Sequence, residues 1–429
     1  MLLPYGSLRF RPRILLLAAA VFAATLWTLL WVGRQSAPRL PNAQTLERDY
    51  PLTWKHVQSF NGTGGAWYIP REWIGEGRPE PQTIVEAARM ASDAATSKHH
   101  RQLAFSNIPL LVHQTSATAR VTRWKPDVLP WVEQWLQYAV SPDRSPMAYF
   151  FWDDEGILAF MREFESDFLD HFNTLFTPVE RADIFRILAC KWFGGVYADV
   201  DTEPLKHPAT WIRSSDLAVW TDEMTGSTYG HQFGQGASSP SDEASSRPVN
   251  LLWGLEADTD PQSDVYWRMG YTYPVQLTQW ALASAPKHPV LSQFMDGLNA
   301  QISEAKKTSF DAAAAEKADP LTRTGPAAVT LATSTWLEKK VGFRWNALTG
   351  LKDGGRAKLV SDVLVLPITG FSPGRGKYGN MGSKPVTDPD ARLHHHALGS
   401  WRRFDLIVEY GKFCRTMFGL CKAWTKVPG

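Results

Sequence analysis

Residues 181–203 read RADIFRILACKWFGGVYADVDTE. The first part is almost wholly apolar: Ala182, Ile184, Phe185, Ile187, Leu188, Ala189, Cys190, Trp192 and Phe193. A helix with that pattern is buried on most sides. Within it Asp183 and Arg186 stand three apart and share a face. Buried charges are costly unless paired, so the two read either as an internal ion pair or as a pair aimed at a polar ligand. Gly194-Gly195 end the helix, as glycine does at a C-terminal cap. Val196 to Asp201 follow in extended form, so Val196, Ala198 and Val200 face one way and Tyr197, Asp199 and Asp201 the other. Two carboxylates then leave one face about 7 Å apart at Cα, at the end of a buried strand. Ligands of open α/β sheets bind at the carboxyl ends of strands. Paired carboxylates there suit a hard divalent cation that bridges a diphosphate.

Outward from this stretch, strands and helices alternate. Residues 109–113 (PLLVH) read as the first buried strand, 147–152 (MAYFFW) as a second, 195–200 as a third and 217–221 as a fourth. Helical periodicity marks 82–98, 127–139, 154–164 and 178–192. This order predicts an α/β fold with a mixed, mostly parallel sheet flanked by helices. Residues 226–247, rich in Gly, Ser and Pro, break the pattern and read as a long surface loop that could cover a site. Helical texture resumes at 276–283 and 290–305. An Ala/Lys-rich helix or linker follows at 306–319, then a helix at 327–340 and a late strand at 363–367.

Asp-x-Asp by itself carries little weight, because Asp258-Thr259-Asp260 and Asp388-Pro389-Asp390 repeat the spacing. Those two lack a preceding apolar strand. Only Asp199 and Asp201 follow a buried helix, a Gly-Gly turn and a strand. A further stretch, HHHALGSW at 394–401, brings three adjacent histidines. They cannot all reach one ion from one face; one or two can, or the segment is a solvated loop. An imidazole completes an oxygen-rich site for Mn²⁺ better than for Mg²⁺. The indole N–H of Trp401 is a donor suited to a phosphate oxygen.

The chain has 429 residues, with 44% hydrophobic and 21% charged, which excludes wholesale disorder and a coiled-coil rod. Forty-five basic against 43 acidic residues leave a net charge of +2 and argue against a nucleic-acid-coating protein. Three cysteines are too few for a disulfide scaffold. Cys190 reads as a buried free thiol, and Cys414 with Cys421 as a pair available to an oxidising compartment. Residues 14–32 (ILLLAAAVFAATLWTLLWV) are uncharged and long enough to span a bilayer. Arg9, Arg11 and Arg13 precede them, which orients residues 1–13 to the cytosol and the body to a lumen. The competing reading is a cleaved signal peptide, whose apolar core is shorter and ends at small residues. Asn61-Gly62-Thr63 is an N-glycosylation acceptor that a lumenal body makes usable. Residues 33–106 read as a lumenal stem, 107–405 as the catalytic domain and 406–429 as a C-terminal tail.

The ordered motifs IPLLVHQT (108–115), WDDE (152–155), the 181–205 stretch, GLEAD (254–258), QLTQWALASAPKHPVL (276–291), TGP (324–326), VLPITGFSPG (365–374) and HHHALGSW resemble glycosyltransferase family 32, the DXD-type sugar transferases. Within that family the likeness is to fungal initiation-specific α-1,6-mannosyltransferases of the Golgi. The resemblance implies a GT-A fold, a Mn²⁺ or other divalent ion, and GDP-mannose as donor. It implies a retaining α-1,6-mannosyltransferase acting on an N-glycan or mannan acceptor, as a single-pass type II Golgi membrane protein. It also brings possible partnership in a Golgi mannosyltransferase complex, as an active member or as a non-catalytic subunit. A second acceptor class is inositol phosphorylceramide. Carried onto this sequence, Asp183, Arg186, Asp199 and Asp201 are catalytic. Asp199, Asp201 and His396 hold the metal. His113, Gln114, Asp183, Arg186, Asp199, Ser400 and Trp401 hold the nucleotide sugar. Glu256, Asp258, Gln279 and Trp280 are further candidates for acceptor or sugar contacts. The chain departs from the family pattern at Ser116, at Ala281 and in the 226–247 insertion.

Overall fold

The computed structural model describes residues 43–421 except 76, 78, 143, 176, 233–246, 264, 308–319, 376–380 and 400–405. The 14–32 segment expected to span a membrane, most of the 226–247 loop, most of 306–319, Ser400, Trp401 and residues 422–429 lie outside the described residues. Among the described residues no helix is long and apolar enough to cross a membrane.

The strands in chain order are β1 (Gly65–Tyr68), β2 (Leu111–Thr115), β3 (Ala148–Trp152), β4 (Gly195–Ala198), β5 (Thr202–Pro204), β6 (Trp220–Thr221), β7 (Thr228–Tyr229), β8 (Leu251–Asp258), β9 (Val275–Leu277), β10 (Ala281–Ser284), β11 (Lys358–Val360), β12 (Val363–Leu366) and β13 (Leu393–His395). The principal helices are α1 (Ile84–Thr96), α2 (Leu129–Val140), α3 (Asp154–Phe164), α4 (Pro178–Phe193), α5 (Pro289–Lys307), α6 (Pro326–Val341) and α7 (Leu406–Phe418). Nine strands form one mixed sheet in the order β1-β3-β2-β4-β10-β8-β12-β11, with β9 paired to β8. Strands β2, β3 and β4 are parallel to one another, as are β8 and β12. Antiparallel β10 separates the two groups. β5 and β13 form a separate two-stranded ribbon, as do β6 and β7.

Period-two alternation sorts the middle of the sheet. Phe150 and Trp152 on β3 join an aromatic cluster with His113 of β2, Phe160 of α3 and Phe185 and Phe193 of α4. Phe151, between them, points the other way and stacks on Trp124. Full burial of each such ring contributes about 1.5–3 kcal/mol. The cluster therefore clamps α3 and α4 onto the face of the sheet that carries His113 and its β4 neighbour Tyr197.

Three expectations are corrected. Residues 276–283 are not helical but make β9 and β10; every residue of both strands is buried, and β10 lies between β4 and β8. A short run buried on both faces has no alternation to separate a strand from a helix. The described part of the expected stem, 43–106, belongs to the main body. β1 pairs with β3, and α1 buries Ile84, Val85, Ala87, Ala88, Ala91 and Ala95. The third strand ends at Ala198, so Asp199 and Asp201 sit in the turn after β4 and not on it.

The turn from α4 into β4 passes through glycine for a steric reason. Gly195 has φ +94°, and a Cβ there would meet the Cβ and carbonyl oxygen of Leu111 at 2.7 Å. The near contact lets β4 run beside β2 directly from the end of α4, with Val196 paired to Val112. At the far end, α7 carries Cys414, which is disulfide-bonded to Cys421. Cys190 is a buried free thiol, as expected.

Candidate active site

Helix α4 begins at Thr177, whose hydroxyl accepts the Glu180 N–H. Two turns on, Asp183 and Arg186 face the sheet with side chains 6% and 7% exposed. Their separation of three residues puts Arg186 Nη1 3.2 Å from Asp183 Oδ1. The other end of the guanidinium, Nη2, lies 3.1 Å from Asp199 Oδ1. Its plane covers the Tyr197 ring at 5.1 Å. The Tyr197 hydroxyl donates to the same Asp199 oxygen at 2.8 Å. One arginine thus bridges buried Asp183 and half-buried Asp199, presenting a separate N–H group to each in a fixed fork.

Each member has further support. Thr324 Oγ1 donates to Asp183 Oδ2 at 2.9 Å. The Gln279 amide donates to the carbonyl oxygens of Asp183 and Thr324. The Asp199 N–H donates to the Trp280 carbonyl at 2.9 Å, continuing the β4–β10 ladder. Gln114 takes a hydrogen bond from Tyr149 Oη at 2.7 Å and donates from Nε2 to the Asp199 carbonyl at 3.1 Å. Thr202 closes the turn by donating to that carbonyl from both its N–H and its hydroxyl.

Asp201 is held from the C-terminal side. Leu398 N–H donates to its Oδ2 at 2.9 Å, His396 N–H donates to its carbonyl, and His395 Nε2 lies 3.3 Å from its Oδ1. The His395 ring stacks on Trp280, with centroids 4.4 Å apart and planes 21° apart. One ligand atom each from Asp199, Asp201 and His395 lie within 4.8 Å of one another. Burial pushes the Asp183 carboxyl up to about 7, against the pull of Arg186 and Thr324. Burial also raises Asp199, again against Arg186. Burial raises Asp201 too, but His395 and the Leu398 N–H outweigh it and hold this carboxyl below its usual range. For Arg186 burial disfavours the charge, and Asp199, Tyr197 and Asp183 more than restore it.

The structure therefore brings together Asp183, Arg186, Asp199 and Asp201, places His396, His113 and Gln114 differently from expectation, and does not describe Ser400 and Trp401. The imidazole beside the two aspartates is His395, not His396. Leu393 is fully buried. His395 shares its face of β13 by the period of two, so His396 falls on the opposite side and stacks on Trp131. His113 contacts nothing outside the core. Its Nε2 meets the Gly194 carbonyl at 3.0 Å and its Nδ1 accepts from Trp152 Nε1, while burial lowers its pKa to about 4. Gln114 is fully buried and positions Asp199 through its backbone instead of lining an open surface. Asp258 caps the turn at Thr349 and Gly350, and Glu256 pairs with Arg375, so neither joins this cluster. Tyr197, Thr324 and His395 were not singled out from sequence. The available signal for His395 was its position two residues after an apolar Leu393.

Residues 128–218 match the family described as glycosyltransferase sugar-binding region containing DXD motif. That stretch is therefore similar to the DXD-containing sugar-binding region of glycosyltransferases. Asp183, Arg186, Asp199 and Asp201 all lie inside it. The chain is 34% identical over 229 residues to an initiation-specific alpha-1,6-mannosyltransferase of Schizosaccharomyces pombe, covering 52% of this chain and 47% of that one. A protein of the same description from Candida albicans is 28% identical over 239 residues, covering 52% of this chain and 54% of that one. A mannosyl phosphorylinositol ceramide synthase of Saccharomyces cerevisiae is 34% identical over 134 residues, covering 29% and 32%. The chain thus spans about half the length of the first two relatives.

Proposed function

We propose that this chain is a retaining, metal-dependent glycosyltransferase of GT-A type that transfers mannose from GDP-mannose to an α-1,6 position of an N-glycan or mannan acceptor. The observation that carries the reading is the buried Arg186 bridging Asp183 and Asp199, with Asp201 and His395 gathered beside Asp199. The names of the relatives support the sugar and the linkage.

The residues present fit the divalent ion that the DXD region implies. Two carboxylates and an imidazole form a donor set that Mn²⁺ accepts more readily than Mg²⁺. His395 Nδ1 is buried with no hydrogen-bond partner among the described residues. Asp199, Asp201 and His395 would hold the ion, and when bound it offsets charge on the leaving diphosphate.

The chain's own residues account for the remaining requirements. Arg186 supplies a second fixed positive charge beside the leaving group. Its Nε, Gln279 Oε1 and Trp280 Nε1 are buried without partners among the described residues, which leaves donors and an acceptor for sugar or phosphate oxygens. In this reading Asp183 accepts from a donor-sugar hydroxyl, held for it by Arg186 and Thr324. Transfer with retention is read as front-face attack: the bond from the anomeric carbon to the phosphate oxygen breaks, the bond to the acceptor oxygen forms, and the departing phosphate takes the acceptor proton.

The proposed setting is the Golgi lumen, behind the anchor read at 14–32. The disulfide between Cys414 and Cys421 supports an oxidising compartment, and Asn61 of the sequon is exposed. Likeness to the inositol phosphorylceramide enzyme keeps a lipid-linked acceptor as the second reading. The deciding experiment is Mn²⁺-dependent hydrolysis of GDP-mannose, UDP-galactose and UDP-glucose by the purified full chain, with Asp201→Ala as control. Turnover of GDP-mannose alone, lost in the variant, is expected. Turnover of a UDP-sugar in its place, or a fully active and folded Asp201→Ala, overturns the proposal.

A further inference from the structure

The β5–β13 ribbon has a second face that the proposed reaction does not use. Glu203 on β5 stands directly across from His394 on β13 in the antiparallel register. His396, two residues beyond His394, lies on the same side. Its Nε2 is 3.1 Å from Glu203 Oε2, and His394 Nδ1 is 3.8 Å from the same oxygen. One ligand atom from each of the three residues lies within 4.8 Å of the other two. The side chains are 28% (His394), 25% (His396) and 32% (Glu203) exposed, open enough for an ion to enter.

We propose that Glu203, His394 and His396 form a second divalent-metal site, of zinc type, on the side of the ribbon opposite Asp199, Asp201 and His395. Two imidazoles and one carboxylate are a zinc donor set that leaves one position for water. Two donors each about 2.05 Å from one ion, at the tetrahedral angle, stand about 3.3 Å apart. The observed 3.1 Å and 3.8 Å bracket that separation for the two histidine–carboxylate pairs. The stack of Trp131 on His396, with centroids 3.9 Å apart and planes 14° apart, occupies the ring face. A metal approaches an imidazole nitrogen in the ring plane, so the stack fixes the ring without competing for the ligand position. The set differs from the first triad in its chemistry. One carboxylate with two imidazoles favours zinc, whereas two carboxylates with one imidazole favour a harder ion.

The arrangement gives the second site an effect on the first. An ion held by Glu203 on one strand and by His394 and His396 on the other ties β13 to β5. His395 lies between the two histidines and points to the opposite face. Zinc on one face therefore fixes the position of the imidazole and of the Leu398 N–H that approach Asp201 on the other.

The inference is independent of the proposed reaction and is tested without turnover. Tag-free full chain, Glu203→Gln, His394→Asn and Asp201→Asn are dialysed against Zn²⁺ in excess Mg²⁺, and bound zinc is counted by atomic emission. Wild type and Asp201→Asn are expected to hold one zinc. Glu203→Gln and His394→Asn are expected to bind it at least about 10–100-fold more weakly, since loss even of an outer-sphere partner costs that much. Zinc retained equally by Glu203→Gln and His394→Asn, or by none of the proteins, overturns the proposal. Circular dichroism in EDTA checks that the variants fold. A second measurement needs only the wild type: diethyl pyrocarbonate modification read by peptide mass spectrometry. Zn²⁺ is expected to protect His394 and His396, and equal modification with and without it refutes the site.

Discussion

Replacing Arg186 by Lys keeps the charge and removes the geometry, so it tests whether the bridge between Asp183 and Asp199 matters. The guanidinium reaches Asp183 from Nη1 at 3.2 Å and Asp199 from Nη2 at 3.1 Å, and covers Tyr197 at 5.1 Å. A single ammonium can serve one carboxylate well. The second loses a charge-assisted hydrogen bond, a cost of about 1.5–3 kcal/mol. Loss of the cation–π contact adds about 0.5–2 kcal/mol at a desolvated position. Arg186→Lys should therefore lower folding stability by about 2–5 kcal/mol, and Arg186→Met by a similar or greater amount, because it leaves buried Asp183 and half-buried Asp199 without their counter-charge. The assay is urea unfolding at neutral pH followed by far-UV circular dichroism, with the midpoint compared at constant slope. The same loss of one charge-assisted contact at the leaving group predicts GDP-mannose hydrolysis reduced about 10–150-fold. If Arg186→Lys unfolds within about 0.5 kcal/mol of wild type, the range of an ordinary surface substitution, the bridge carries no energy and the reasoning fails.

His395→Ala should raise the Mn²⁺ concentration needed for half-maximal hydrolysis far more than His396→Ala; the reverse order, read from a metal titration, would restore the sequence-based choice of ligand. Asp222 accepts hydrogen bonds from Arg344, Thr225 and the Met224 N–H, and the Arg344 hydrogen bond is the main cause that lowers its carboxyl to about 2. Because the folded value lies below the unfolded one, this stability is present above pH 4 and disappears as pH falls through about 2. Asp222→Asn should cost on the order of 2 kcal/mol at pH 7 and about 0.4 kcal/mol near pH 2, as measured by denaturant midpoints at the two pH values. Gly195→Ala should destabilise by about 2–6 kcal/mol, the sum of overpacking against Leu111 and a strained positive φ, and a soluble variant with unchanged thermal midpoint would contradict that.

The half of the site that comes from one continuous stretch was readable from sequence. The apolar pattern of α4 implied burial, so Asp183 and Arg186 had to be paired, and Gly194-Gly195 implied the turn into a strand that delivers Asp199 and Asp201. The other half comes from elements whose phase depends on their partners. Whether His395 or His396 faces Asp201 is decided by the pairing of β13 with β5, and three identical residues in a row carry no internal phase. His113 looked like a site residue because it ends a strand beside the site. Alternation instead turns it into the aromatic cluster and gives Gln114 to the other face. β10 was hidden for a related reason: a strand buried on both faces has no polar side to mark its period, and here it was read as a helix.

The groups around Arg186 are gathered from distant parts of the chain. Asp183 and Asp199 come early, Trp280 and Thr324 follow, and His395 arrives on β13, which pairs with β5 from nearly two hundred residues away. Pairings of such long range close late, after the local helices and hairpins have formed. During synthesis the acidic turn after β4 therefore emerges well before the histidine that joins it, His395. A chain released before residue 393 would keep the two carboxylates and the arginine but lack the third member of the proposed metal site, so under that proposal metal capture and the last strand pairing would coincide as one final event of folding.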